Sequence, residues 1–225
     1  GFYLGKHEVT QAQYEAVMTG NPNGLSPIPS NWPNNPNRPV ENVSWDDIQI
    51  FLTRLNSNEQ AAGRLSIGWS YVLPTEAQWE YACRAGTTTE YSWGDTIVPS
   101  DANWNHGNDA NQTQDVGSYA PNPWGFYDMH GNVREWTAEF YKAFTSEAHI
   151  DPIGPTSGSY RVTRSGSWFR EASRLRSADR GKLNPDFKGN YVGFRFALRQ
   201  ITEPPSDLNS TEPLTFAENQ LVDTI

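Results

Sequence analysis

Apolar residues recur at helical spacing in three segments of the first 90 residues, "VTQAQYEAVMTG", "SWDDIQIFLTRLNS" and "LPTEAQWEYACRAG". Thr10 can cap the first segment, Ser44 with Asp47 forms an approximate capping box in the second, and Thr75 with Gln78 forms a capping box in the third. We therefore predict three helices, which begin after Thr10, Ser44 and Thr75. Gly20 and Gly86 end the first and third helices. The apolar stripes are Tyr14, Val17 and Met18 in the first segment and Ile48, Phe51, Leu52 and Leu55 in the second.

Short strands and turns account for the remaining pattern. Alternating or apolar runs predict strands in "GFYLGKHEV", "YRVTRSGSWF" and "YVGFRFAL". The Pro- and Asn-rich stretch "GNPNGLSPIPSNWPNNPNRPVENVSW" between the first two helices has no periodic pattern. A loop of this length inside a domain is usually functional or packed by its own side chains.

Composition narrows the possible classes of protein. The 225 residues include 9 Trp, 10 Tyr and 10 Phe beside 18 Gly and 16 Pro, which indicates a loop-rich fold held together by large aromatic side chains. A net charge of −9 argues against nucleic-acid binding, and no apolar run is long enough for a membrane helix. Because Cys83 is the only cysteine, an intrachain disulfide and a two-cysteine metal site are excluded. We expect Cys83 to be a small buried apolar residue on the third helix.

Two oxygen-rich stretches are the candidates for metal binding. "NWNHGNDANQTQD" and "NPWGFYDMHGNVREW" combine Asn and Asp side chains with Gly-containing turns, and such oxygen ligands suit calcium. The alternative is that these side chains only form Asx-turns. The four histidines have no ligand spacing, and no nucleophile elbow or phosphate-binding loop is present.

Positive charge is concentrated near the end of the chain. Ten of the 17 Lys and Arg lie between Arg161 and Arg199 with only three acids, so this window carries +7 in an otherwise acidic chain. The stretch "EASRLRSADR" lies in its centre. The functional question is what these guanidinium groups bind.

Eight ordered motifs together identify a family. "GFYLGKHEVTQAQYEAV", "RPVENVSWDDIQIFL", "LPTEAQWEYACRAG", "YSWGD", "NPWGFYDMHGNVREW", "RVTRSGSW", "RSADR" and "GFRFA" resemble the formylglycine-generating enzyme, or sulfatase-modifying-factor, family over residues 1 to about 200. The resemblance implies an α+β fold, a variant of the C-type-lectin fold with little regular secondary structure. The family's usual N-terminal lead-in is missing, so we expect a segment of a longer protein.

The resemblance also implies one or two structural calcium ions. The positions that match the family's first site are Asn103, Trp104, Asp109 and Asn111. The positions that match its second site are the side chains of Asp128 and Glu135 and the carbonyls of Gly131 and Val133. The loop after Asn103 is shorter than in the animal enzymes, which leaves Asp109 and Asn111 as the less certain matches.

Catalysis in this family depends on two cysteines that bind copper. Aligned on "RLRSADR", the second cysteine corresponds to Ala172, and the first falls near Arg170 or in a deletion. A methyl group and a guanidinium cannot replace thiolates for copper(I). We therefore expect no copper and no copper-dependent oxidase activity.

The same region also resembles the ligand-binding face of variable proteins of diversity-generating retroelements. The pattern runs from Ser167 to Arg195, and its variable slots hold aromatic and basic residues of the kinds that are enriched at binding hot spots. The predicted ligand face consists of Trp168, Phe169, Arg170, Glu171, Arg174, Lys182, Asn184, Phe187 and Tyr191.

The comparison divides the basic residues into two groups. Arg164, Arg176, Arg180 and Arg195 lie in shared motifs, and we predict that they are buried and bind carboxylates or carbonyls. Four others lie in unshared slots, where we predict exposed side chains that bind an acidic partner or are simply solvated. They are Arg170, Arg174, Lys182 and Lys188.

After Gln200 the composition changes to an acidic, Pro-containing tail without Lys or Arg. Its part "DLNSTEPLTFAENQLVDTI" resembles the start of a cadherin-like repeat. We predict a non-catalytic, calcium-stabilised, lectin-like binding module at 1–200 in a larger secreted or cell-surface protein, followed by a linker at 201–225 and neighbouring cadherin-like modules. The alternatives are an oxidase or modifying factor that works without copper, and a retroelement variable protein. The ligand can be a protein, a peptide or a glycan.

Overall fold

A computed structural model describes residues 1–107, 111–144 and 150–200. Its helices are α1 (Gln11–Met18), α2 (Trp45–Ala61) and α3 (Glu76–Arg84). All three begin at the predicted caps, and each forms a complete capping box with Gln13, Asp47 or Gln78. The reciprocal bonds satisfy backbone N–H groups that a helix start leaves open, which is why these short helices begin where the sequence indicates.

The strands form two small sheets. The first sheet is antiparallel in the order β1 (Phe2–Leu4), β7 (Ala197–Gln200), β2 (Trp69–Val72). The second has the order β5 (Gly181–Leu183), β4 (Arg161–Arg164), β3 (Arg134–Phe140), β6 (Val192–Gly193). Only the β3–β6 pair is parallel. The predicted strand "YVGFRFAL" is thus two strands, β6 and β7, in different sheets.

The main core lies where α1 and α2 pack together beside β2 and the β3–β6 pair. Tyr14, Phe51 and Phe194 form a chain of rings with centroid distances of 5.3 and 5.2 Å. Trp136 of β3 is fully buried in the same cluster and donates its indole N–H to the Val43 carbonyl. Burial of rings of this size is the dominant apolar contribution in a loop-rich domain.

Cys83 lies in a second cluster, with Trp79, Ala82 and Met129. It is fully buried on α3, as predicted.

No helix in the described ranges has the length and apolar character needed to cross a bilayer. Asp109, His149 and the acidic tail at 201–225 lie outside the described residues.

Candidate functional site

The loop that follows β4 presents the residues that replace the expected cysteine pair. After Arg164 the chain turns sharply through Ser165 and Gly166, both with φ near +80°. Ala172 begins a single 3₁₀ turn, Ala172–Arg174. A Cβ on Gly166 would lie 2.6 Å from the Arg174 carbonyl oxygen, so glycine is required for this close packing of the loop on itself.

Five half-buried rings form a continuous aromatic face on this loop and its neighbours. Trp168 contacts Trp32 at 5.4 Å and Phe169 at 5.3 Å between ring centroids. Tyr191 contacts Phe169 at 4.7 Å and Phe187 at 5.8 Å. Four of the five rings belong to the predicted ligand face, and the structure brings them together. We call Trp32, Trp168, Phe169, Phe187 and Tyr191 the aromatic face.

Trp32 was not predicted as a site residue. It comes from the Pro- and Asn-rich loop, whose length was the only signal that pointed to a function. The Glu41 carboxylate fixes this loop by accepting the backbone N–H groups of Asn31 at 2.5 Å and Trp32 at 3.4 Å. Gln11 on α1 donates to the Trp32 carbonyl oxygen at 3.1 Å. The position of Trp32 therefore depends on a buried carboxylate.

Burial raises the pKa of Glu41 to about 7, against the opposing effects of the Asn31 and Trp32 N–H groups and the Arg38 charge. The pKa of Glu41 is higher in the folded protein than in the unfolded chain. The Glu41 carboxyl therefore lowers the free energy of unfolding progressively as pH rises from the unfolded-state pKa to the folded-state pKa. We expect wild type to lose about 2 kcal/mol relative to Glu41→Gln between about pH 5 and pH 8. Urea unfolding across this pH range measures the difference, and parallel curves for the two proteins would contradict it. The exposed-site control Glu15→Gln should follow the wild-type curve.

Three of the four arginines assigned to the scaffold bind carboxylates as predicted; Arg164 and Arg195 are buried, and Arg180 is half-buried. Arg195 donates to both Glu135 oxygens at 2.7 and 2.8 Å, and both side chains are completely buried. Arg164 bridges Glu76 and Glu80, and Arg180 binds both Glu76 oxygens. These bonds tie α3 to the second sheet and the loop after it.

Arg176 does not belong to this group, and its prediction as a buried residue is wrong. Its side chain is 46% exposed and lies 3.7 Å from an equally exposed Glu90. The Arg176 side chain is exposed because its two neighbours, Leu175 and Ser177, are the buried positions of this turn.

The prediction of exposed side chains for the second group of basic residues is only partly correct. Arg174 and Lys188 are substantially exposed, and each lies near a carboxylate, Asp179 or Asp47. Lys182 lies 5.1 Å from the rings of both Tyr141 and Tyr160, which are outside the aromatic face. Arg170 was predicted to be exposed but is half-buried, because its guanidinium stacks 4.5 Å over the Phe169 ring. The other two predicted ligand residues, Glu171 and Asn184, are exposed.

The predicted first calcium site has one feature that fits a cation. Asn103 is buried, and its side-chain oxygen Oδ1 has no hydrogen-bond partner among the described residues, while its Nδ2 donates to Gln112 and Asn132. An unpaired buried carbonyl-type oxygen is a suitable hard ligand. Trp104 follows directly and is half-buried. Asn111 is exposed, and Asp109 is not among the described residues.

The predicted second calcium site has more buried carboxylates than cations. In the part of the chain that the structure describes, Glu8, Asp128 and Glu135 share one buried cation, Arg195. Burial and repulsion from Glu135 raise the pKa of Asp128 to about 6, although a hydrogen bond from Gly117 and the Arg195 charge oppose this shift. Burial and the two other carboxylates raise the pKa of Glu8 well above its usual range. A cation would relieve this repulsion.

The geometry of the predicted second site suits a calcium ion less well than its charge does. Glu135 is held by Arg195 and by the Trp79 indole N–H at 2.7 Å, and the Gly131 carbonyl accepts the Ser165 hydroxyl at 3.0 Å. Val133 donates its N–H to Glu8. Within the described ranges no three His, Cys, Asp or Glu side chains are arranged to hold one metal ion. A calcium ion here would therefore need carbonyl oxygens beside Asp128, and Glu135 stays a predicted ligand.

Comparisons with known proteins agree on one family. Residues 1–200 match the family described as the sulfatase-modifying factor enzyme 1-like domain. The chain belongs to this family. Mouse formylglycine-generating enzyme is 35% identical in an alignment of 182 positions, gaps included, that covers 73% of this chain and 45% of that protein. The chain spans about half the length of the formylglycine-generating enzymes it matches.

Two further relatives cover more of their own length. The chaperone protein LppX of Paenibacillus barcinonensis is 30% identical in an alignment of 237 positions, gaps included, that covers 86% of this chain and 79% of that protein. Treponema denticola variable protein 1 superposes with a TM-score of 0.74 at 28% identity, over 87% of this chain and 84% of that chain. The fold is accordingly the α+β, C-type-lectin-like fold of the sulfatase-modifying-factor family, as predicted.

This family member lacks a thiol suited to copper chemistry. Cys83 is its only cysteine, and its Sγ lies 3.7 Å from the Met129 carbonyl and 3.6 Å from Nε2 of His130. Burial raises the pKa of the Cys83 thiol to about 12. The site that would need two thiolates therefore has none at Arg170 and Ala172, and the remaining thiol stays protonated in the core.

Proposed function

We propose that this domain is a non-catalytic, calcium-stabilised binding module whose aromatic face binds a polypeptide ligand. The observation that carries the proposal is the aromatic face itself, five half-buried rings around the loop where the family's copper enzymes need a cysteine pair. Half-buried Trp, Tyr and Phe side chains are the types that dominate binding energy in interfaces.

The rings are supported by the fold in a way that favours recognition. Trp168 donates its indole N–H to the Asn190 carbonyl at 3.0 Å, and its backbone N–H bonds to the Asn132 carbonyl at 2.9 Å. Phe187 and Tyr191 pack against the main core. A face fixed in this way loses little conformational entropy on binding, which increases affinity for a given contact area.

Two relatives support a binding role. LppX is named as a chaperone, and a chaperone acts by binding polypeptide rather than by chemistry on it. Variable protein 1 has the same fold over most of its length. This similarity favours the third alternative, a retroelement variable protein, for which we propose that the same rings would bind the ligand.

The opposing candidate is an oxidase or modifying factor with a non-copper mechanism. The identity of 35% with mouse formylglycine-generating enzyme favours it. It has to proceed without a reactive thiol on this chain, since Cys83 is buried. The secreted or cell-surface location and the cadherin-like neighbours remain proposals that depend on the tail sequence alone.

Peptide selection tests the binding function. A random peptide library displayed with free C-termini is panned against wild type, and the selected peptides are measured against Phe169→Ala with Tyr191→Ala. We expect at least about a 10-fold loss of affinity, because two contacting rings of the face are removed. The matched control removes two exposed apolar residues elsewhere, Tyr3→Ala with Ile67→Ala, and should bind as wild type does. Selection of no peptide, or equal losses in both double variants, would refute the role of the aromatic face.

Calcium should stabilise the fold through the Asn103 site. At calcium concentrations about 100-fold above the dissociation constant, we expect about 2.7 kcal/mol of added stability relative to chelator. Asn103→Leu should remove this increment, while Asn111→Ala, at an exposed position, tests whether that residue contributes. Thermal melts with and without calcium provide the measurement. A calcium response that persists in Asn103→Leu would exclude this residue as a ligand.

A further inference from the structure

Three arginines beside the aromatic face have only two carboxylates between them. Arg134 donates to Asp179 at 2.9 Å, and Arg174 lies 3.5 Å from the other oxygen of Asp179. Arg174 also approaches Glu171, at 3.8 Å. Both oxygens of Asp179 are therefore occupied, and the third arginine, Arg170, brings a positive charge that this group does not balance.

Arg170 is the unbalanced cation. Among the described residues no Asp or Glu oxygen lies within 4.0 Å of its guanidinium. Within the same described part of the chain, its buried Nε has no hydrogen-bond acceptor. Burial lowers the pKa of the neighbouring Arg134, and the Arg170 charge lowers it further, against the effect of Asp179. A guanidinium that is partly desolvated and incompletely bonded favours an external anion.

The surroundings of Arg170 limit the shape of that anion. The guanidinium stacks on Phe169, which in turn contacts Tyr191. Stacking leaves the planar edge of a guanidinium available to donate two parallel hydrogen bonds, which match a carboxylate. The rings beside it form an apolar wall for whatever group is attached to the carboxylate.

A peptide terminus fits this wall better than a sugar acid. The polar atoms of the aromatic face are few: Phe169 and Phe187 have none in their rings, the Trp168 indole N–H is already bonded to the Asn190 carbonyl, and the others are the Trp32 indole N–H and the Tyr191 hydroxyl. A sugar acid would require partners for several hydroxyl groups. A chain that ends in a large apolar residue places its carboxylate and its apolar side chain side by side.

We propose that Arg170 binds the C-terminal carboxylate of a polypeptide whose last residue is large and apolar, with that side chain packed on Phe169 and Tyr191. This inference rests on the proposed function and names its ligand. The residue at the place of the lost cysteine pair then acts as the specificity determinant of a binding site.

The test compares one peptide in two forms. The probe is a fluorescently labelled Gly-Gly-Ser-Gly-Leu-Phe, prepared with a free C-terminal carboxylate and as its C-terminal amide, and binding is followed by anisotropy. We expect wild type to bind the acid at least about 10-fold more tightly than the amide, since the amide loses a charge-assisted bidentate contact. Arg170→Met and Arg170→Gln should both bind acid and amide equally. Arg176→Met, an exposed arginine outside the face, should keep the wild-type preference.

Other outcomes have definite meanings. Equal binding of acid and amide by wild type, or a preference that survives in both Arg170 variants, overturns the inference while leaving the aromatic face as a binding surface. Displacement of the acid peptide by glucuronate as effectively as by N-acetylphenylalanine overturns the assignment to a peptide terminus. No binding of either peptide overturns the inference as well, and the library selection then decides separately on the proposed function. Circular dichroism of each variant establishes that it is folded.

Discussion

Arg195→Met should lower the free energy of unfolding by about 4 kcal/mol or more, because it removes a buried cation that three buried carboxylates share. The guanidinium binds both oxygens of Glu135 and also donates to the Tyr127 carbonyl at 2.9 Å. Methionine fills similar volume, so the loss is one of charge compensation rather than packing. Urea unfolding at neutral pH measures it.

Glu135→Gln should cost less, about 3 kcal/mol, although it breaks the same ion pair. Arg195 then still faces Glu8 and Asp128, whereas the Met variant removes this cation from all three carboxylates. The exposed pair Arg176–Glu90 provides the control, and Arg176→Met should leave stability nearly unchanged. A ranking in which Glu135→Gln is the more damaging change would contradict this account of the charge cluster.

Gly131→Ala should destabilise the protein by about 3 kcal/mol, for steric reasons. Its φ is +100°, and a Cβ would lie 2.4 Å from the Asn103 carbonyl oxygen and 3.1 Å from Leu175. That carbonyl accepts the Asn132 N–H, so the segments that carry both predicted calcium sites meet at this contact. The added methyl group would force them apart.

Gly125→Ala is the matched control for backbone strain. Gly125 also has positive φ, +85°, but a Cβ there would have no atom within 4 Å. It should therefore cost only about 1 kcal/mol, the conformational part of the effect. Thermal melts of both variants separate strain from collision, and equal losses would show that the close approach to Asn103 relaxes freely.

The helices were predictable because their information is local. Thr10, Ser44 and Thr75 each sit next to their own capping partner and an apolar stripe, and all three capping boxes are present. The α2 helix continues to Ala61, beyond the predicted segment, since Glu59 near its end is buried and binds Arg64. This tertiary contact extends the α2 helix beyond the end that its local sequence pattern predicts.

The strands and the full binding face depend on contacts between distant segments. The β3 strand begins in the last three residues of the stretch interpreted as a calcium loop, and its nearly continuous burial gives no period-two alternation. Trp32 is placed beside Trp168 with the help of the Glu41 carboxylate, which binds the Asn31 N–H ten positions away in an irregular loop, and of Gln11 on α1. No pattern in the chain indicates that pairing.

The motif comparison predicts the burial of some arginines correctly and of others incorrectly. It correctly assigned Arg164, Arg180 and Arg195 to ion pairs, yet it failed for Arg176, whose orientation is set by a local turn. It also predicted Arg170 as exposed, and the stacking on Phe169 corrects this. Side-chain stacking of this kind depends on the loop conformation, which sequence spacing does not specify.

We propose that this domain binds a ligand around the loop where formylglycine-generating enzymes carry their cysteine pair. Oxygen consumption with a cysteine-containing peptide, reductant and copper(I) tests the proposed absence of catalysis, with mouse formylglycine-generating enzyme as the positive control. We expect oxygen consumption no greater than the protein-free background and no stoichiometric copper bound to the purified protein. Sustained oxygen uptake with conversion of the peptide cysteine by this chain would contradict the proposal.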